Sequence, residues 1–100
     1  MKTIGHFIGG RVVDAGARKG EVFNPATGEV GARVLMADQA TVDAAVQAAA
    51  AAWPRWAATS VLRRARVMFR FRELLETHRG ELAAAITREH GKLLSDADGE

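Results

Sequence analysis

The hydrophobic pattern changes period once, at Asp38, and that change limits the fold more than any other feature of the chain. Before it, apolar residues alternate or form short runs between glycines; after it they recur at helical spacing to about His90. One hundred residues give room for a single domain at most. Strands first and helices second imply an α/β segment with an N-terminal hairpin, short strands and three helices.

In the first third, Phe7-Ile8 and Arg11-Val12-Val13 flank Gly9-Gly10, a pair able to take the two positive φ angles of a tight hairpin. Gly16 and Gly20 bracket a polar loop. Glu21-Val22-Phe23 reads as a short strand stopped by Asn24-Pro25, and Ala26-Thr27-Gly28 completes a turn. Val30, Ala32 and Val34 then alternate with Gly31, Arg33 and Leu35, the period of one more strand. Strands are therefore expected within about 7–35.

Three helices are expected, over about 39–53, 61–79 and 81–90. Asp38 caps the first, with Val42, Val46, Ala49 and Trp53 on one face and Pro54 as its end. The alanine run Ala48–Ala52 suits close approach by another backbone. Thr59 or Ser60 caps the second helix, whose apolar stripe is Val67, Met68, Phe71, Leu74, Leu75 and His78. Phe69 lies about 200° from Val67 at 100° per residue, so this helix touches structure on a second side. The third turns Leu82, Ala85 and Ile86 inward, and Gly91 sits just past its end. A further helix start is expected at Ser95-Asp96.

Hydrophobic residues make up 48% of the chain, but much of that is alanine, and with four Phe and two Trp the core is thin. Net charge is +2, unevenly placed: residues 61–79 carry six arginines against Glu73 and Glu76, a local +4 that leaves −2 elsewhere. Arg63, Arg64 and Arg66 crowd the start of the second helix, where the macrodipole disfavours each cation by roughly 0.3–1 kcal/mol. An acidic neighbour outside these residues would compensate. Nucleic acid or a membrane surface can also attract such a helix; with no aromatic-basic interleaving on a strand, neither is expected as a partner. Arg70 with Glu73 and Arg72 with Glu76 read as surface pairs.

Chemistry is sparse. The absence of cysteine excludes disulfides, thiolate metal sites and a cysteine nucleophile within these residues. His6, His78 and His90 lack the spacing of a helical metal pair, and His78 reads as a packed or capping side chain. Gly91-Lys92 lacks the rest of a phosphate loop, and GxGxxG does not occur. Thr59 and Ser60 are explained as caps. Asp96, Asp98 and Glu100 lack the other positions of a calcium loop. Asp43, Gln47 and Arg55 break the alanine stretch as a membrane span. Nothing in Met1–Phe7 reads as an export or organelle signal, so a cytoplasmic protein is expected. No catalytic, cofactor-binding or metal-binding residue is assigned.

A family resemblance adds to this. Phe7-Ile8-Gly9-Gly10-Arg11, then Val22-Phe23-Asn24-Pro25-Ala26-Thr27-Gly28-Glu29-Val30, resembles the opening of the aldehyde dehydrogenases. Val42-Asp43-Ala44-Ala45-Val46 leading to Trp53 and Trp56, Arg64, Leu74-Leu75, Glu81-Leu82 and Ile86–Lys92 continue it in order. Trp56–Arg63 and Gly91–Glu100 are similar to the CoA-acylating methylmalonate-semialdehyde branch. The resemblance implies a Rossmann-like cofactor domain, of which residues 1–100 form an incomplete N-terminal segment, with the remainder of a dehydrogenase chain as partner and a homo-oligomer when complete. It implies NAD as cofactor and CoA as co-substrate, neither expected to bind this segment alone. In the implied mechanism a cysteine thiolate adds to the aldehyde, hydride passes to NAD, and the resulting thioester goes to CoA with loss of carbon dioxide, giving propionyl-CoA or acetyl-CoA. The cysteine and its helpers belong to later sequence, so the segment alone is expected to be inactive. Two alternatives stay open: another branch of the family, or a short non-catalytic relative that binds a partner.

Overall fold

A computed structural model describes all residues, Met1–Glu100. The period change at Asp38 marks the switch of structure. Five strands precede it: β1 (Lys2–Ile4), β2 (His6–Ile8), β3 (Arg11–Val13), β4 (Lys19–Phe23) and β5 (Val30–Leu35). Four helices follow: α1 (Gln39–Ala58), α2 (Val61–Thr77), α3 (Arg79–His90) and α4 (Leu94–Asp98). The chain divides into two compact units, one of residues 1–23 and 30–58, the other of 24–29 and 59–100.

In the first unit β2 and β3 form the expected hairpin, with Gly9 at φ 61° and Gly10 at φ 81°. A separate three-stranded sheet has the order β1-β5-β4, with β1 parallel and β4 antiparallel to the central β5. Val30, Ala32 and Val34 are the more covered positions of β5, as the alternation requires, and Leu35 on the opposite face is buried as well. β1 was not expected, because Lys2-Thr3-Ile4 is too short to show a period; parallel pairing with β5 defines it. β4 also begins two residues early, within the loop expected between Gly16 and Gly20, since Lys19 and Gly20 pair with Leu35 and Val34.

Asp38 caps α1: its Oδ1 accepts from the Thr41 backbone N–H at 2.8 Å and from the Thr41 hydroxyl at 2.6 Å. The covered face of α1 is not its stripe of large apolar residues. Val42, Val46, Ala49 and Trp53 are exposed, whereas Thr41 is buried and Ala45 and Ala48 are half-buried. These small side chains recur at i, i+4 and i+7 and so share one face of the helix. Pro54 does not end the helix, which runs on to Ala58. Proline removes one hydrogen bond to the Ala50 carbonyl; both residues are exposed, so water satisfies that oxygen, and flanking alanines sustain the helix.

The hydrogen bonds from the Thr41 side chain, and then from its backbone, hold the Asp38 carboxyl below the ordinary aspartate range. A depressed folded-state pKa means that the cap's contribution is complete above the unfolded value of about 3.9 and is lost as pH falls through the folded value. A carbon-13 titration of the Asp38 carboxyl should give a midpoint below about 3.9. In Asp38→Asn, the first turn of α1 should lose its acid sensitivity. A midpoint at or above the ordinary value would contradict this cap.

In the second unit, Ser60 Oγ caps α2 by accepting from the Arg63 N–H at 3.4 Å, and α2 ends at Thr77. His78 closes α2, starts α3 and pairs with Glu81 at 2.9 Å, so it caps instead of extending the apolar stripe. Arg70–Glu73 forms at 2.9 Å; Glu76 turns to Arg79 at 3.6 Å and leaves Arg72 unpaired. In α3 Ala83 is buried, Ala85 and Ile86 are half-buried, and Leu82, expected inward, is exposed. The helix start expected near Ser95 is α4. Arg79 ties α3 to it, with Nε and Nη2 each 2.7 Å from a carboxylate oxygen of Asp98.

Gly91 closes α3 at φ 83°. A Cβ built on it would lie 3.0 Å from Pro25 Cγ, so the turn after β4 packs on the end of α3. Gly91→Ala is expected to cost about 1–2 kcal/mol of left-handed strain, a roughly ten-fold loss of amide protection in the last turn of α3 by hydrogen exchange. Unchanged protection would show that the C-cap is not under this constraint.

Little is buried. Leu35, Ala83 and Ala97 are the only buried apolar residues. The accessible surface is 8026 Å², against about 5,500 Å² for an ordinary folded monomer of this mass.

Candidate functional site

Two of the stretches that carry the family resemblance, residues 24–29 and 86–92, lie together in the second unit. Asn24 organises its turn: its Oδ1 accepts from the Ala26 N–H at 2.9 Å, its carbonyl from the Gly28 N–H at 2.8 Å, and its N–H donates to the Glu29 carbonyl at 2.8 Å. Gly28 takes φ 73°, which explains the glycine in Ala26-Thr27-Gly28. Pro25 then meets Gly91, which joins two words that are far apart in sequence. This is an architectural arrangement, without a nucleophile or a base.

Several titratable groups serve structure. His6 Nε2 lies 3.0 Å from the Ala15 carbonyl, His78 pairs with Glu81, and Glu100 pairs with Lys92. Asp98 is held by Arg79, whose own pKa it raises through the hydrogen bond and then through charge. No group of three potential metal ligands gathers in the structure. Ser60 is the α2 cap. The Arg79–Asp98 clamp escaped sequence reading, because a separation of 19 residues carries no local period.

One hollow of about 640 Å³ opens in the first unit between the hairpin and α1, lined by Ile8, Arg11, Val13, Thr41, Ala44 and Ala48 among others. Its character does not suit a dinucleotide. Pyrophosphate needs free backbone N–H groups at a helix start or glycine turn, and here the Asp38 carboxylate already occupies the start of α1. In the second unit Ser60 takes the start of α2, and Glu81 places negative charge in the first turn of α3. The residues present therefore do not fit the pyrophosphate of NAD.

The sequence model of the aldehyde dehydrogenase family matches residues 12–100. The chain belongs to that family. Among relatives of this dehydrogenase segment, the solved methylmalonate-semialdehyde dehydrogenase of Oceanimonas doudoroffii is 52% identical with a TM-score of 0.96, over 99% of this chain and 20% of that one. The human mitochondrial methylmalonate-semialdehyde/malonate-semialdehyde dehydrogenase, described as acylating, is 43% identical over 100% of this chain and 19% of its own length. A solved NAD-dependent benzaldehyde dehydrogenase of Corynebacterium glutamicum is 38% identical with a TM-score of 0.88, over 94% of this chain and 21% of its own. The segment thus spans about a fifth of the relatives it matches. No helix in it is long and apolar enough to cross a membrane.

Proposed function

We propose that this chain is the N-terminal segment of the cofactor domain of an NAD-dependent, CoA-acylating dehydrogenase of malonate or methylmalonate semialdehyde. The observation that carries the reading is the 52% identity and TM-score of 0.96 with the Oceanimonas doudoroffii enzyme, against 38% and 0.88 for a benzaldehyde dehydrogenase. In this reading the whole enzyme converts aldehyde, NAD and CoA into acyl-CoA, NADH and carbon dioxide, in the cytoplasm and as a homo-oligomer. The segment supplies strands and helices to the scaffold. Its own residues hold neither the reacting atoms nor the cofactor, so it is inactive alone.

Sequencing the coding DNA past the Glu100 codon tests this. A frame that continues to a cysteine in an aldehyde dehydrogenase setting is the expected result. An immediate stop codon in the native gene would overturn the assigned activity and leave a short, non-catalytic relative.

A further inference from the structure

Arg64 stands in the middle of an apolar helix face. At 100° per residue, Arg64, Val67, Met68, Phe71 and Leu75 fall within a sector of about 100° on α2. The four apolar side chains are exposed, yet the Arg64 Nε is already out of contact with water and has no hydrogen-bond partner. A desolvated guanidinium nitrogen without an acceptor is costly, and native structures rarely leave one so. Nearby carboxylates do not help: Glu73 takes Arg70 and Glu76 takes Arg79, so Arg63, Arg64, Arg66 and Arg72 have no ionic partner.

We propose that the element covering this face of α2 brings a carboxylate to Arg64 from within an otherwise apolar surface. Its source is the later part of the same polypeptide, the part corresponding to the four fifths or so of the relatives that this chain does not span. This inference rests on the reading given under Proposed function and specifies how the segment joins the rest of the enzyme. Two facts favour this occupant over a second copy. The excess surface noted above, about 2,500 Å², has the size of a permanent interface. A two-fold contact through α2 would also set its unpaired arginines against their own equivalents. Once covered, the pair lies in low dielectric, where a charge-assisted, bidentate bond fixes the docking register.

The test grafts this chain in place of the matching segment of the Oceanimonas doudoroffii enzyme, so that a complete dehydrogenase is measured. Arg64→Met should lower its melting temperature by about 5 °C at pH 7, because a buried carboxylate is left alone. Arg64→Lys, which keeps the charge without the planar fork, should fall between parent and Arg64→Met. Arg72→Met, outside that sector, should change little. The Arg64→Met deficit should narrow as pH falls toward 4, where the freed carboxylate takes up a proton. An Arg64→Met graft as stable as its parent, or a deficit constant with pH, overturns the proposal. A soluble, cooperatively melting graft that forms no NADH instead counts against the assigned activity, and the Arg64 comparison still decides the docking. A graft that aggregates overturns the proposed occupant.

Discussion

Gly16→Ala is expected to disrupt the first unit. Gly16 has φ 104°, and a Cβ there would sit 2.2 Å from the Met36 carbonyl oxygen and 3.2 Å from its carbon. The obstacle is backbone, not the tip of a flexible side chain, so the loop must move as a whole. That loop supplies the Arg18 carbonyl to the Met36 N–H at 2.9 Å and leads into the Lys19–Leu35 pairing. Moving it unfastens β4 from β5. A loss above about 3 kcal/mol is expected from combined strain and overlap. Gly10→Ala is the comparison: φ is 81°, but nothing lies within 4 Å, so the cost is about 1–2 kcal/mol of strain alone. In a complete dehydrogenase carrying this chain as its N-terminal segment, hydrogen exchange should find β5 amides unprotected in Gly16→Ala and near parental protection in Gly10→Ala. Equal behaviour would mean that the loop relaxes and that Gly16 does not fix the register.

The second large effect concerns the whole chain. Twenty large apolar residues are exposed, among them Phe7, Trp53, Phe69 and Phe71, while two of the three buried apolar residues are alanines. Burial on that scale cannot offset the conformational entropy of a chain this long. Alone in solution, the chain should bind hydrophobic dyes, self-associate at micromolar concentration and melt over a broad range without a cooperative step. A sharp, concentration-independent melt from a monomer would contradict this and favour a self-sufficient partner-binding protein.

Much of the fold was legible because it is written locally. The positive φ angles at Gly9-Gly10, the Asp38 cap, the alternation in β5 and the Gly91 stop each depend on residues within a few positions. Non-local features were not legible. β1 exists only through its pairing with β5, and Arg79 reaches Asp98 across a fold that sequence spacing does not encode. The stripes over Val42–Trp53 and Val67–Leu75 were found, and in the structure they are exposed. Period reveals which face is apolar; it does not reveal which element covers it. The site was thin in the sequence for a plain reason: there is no cysteine, and Asp38, Ser60, His78 and Asp98 are committed to caps and ion pairs. Arg64 is the exception. The family pattern marked it, and its isolated Nε gives that mark a physical content.

The most direct measurement of the central claim is NADH formation by the Oceanimonas doudoroffii dehydrogenase carrying this chain in place of its own N-terminal segment. Malonate semialdehyde, NAD and CoA are supplied, and the isolated chain is run beside it. The account predicts CoA-dependent NADH from the graft, within about ten-fold of the parent enzyme because the reacting groups are untouched, and none from the chain alone. A graft that folds and melts cooperatively yet makes no NADH, or an isolated chain that does, would contradict it.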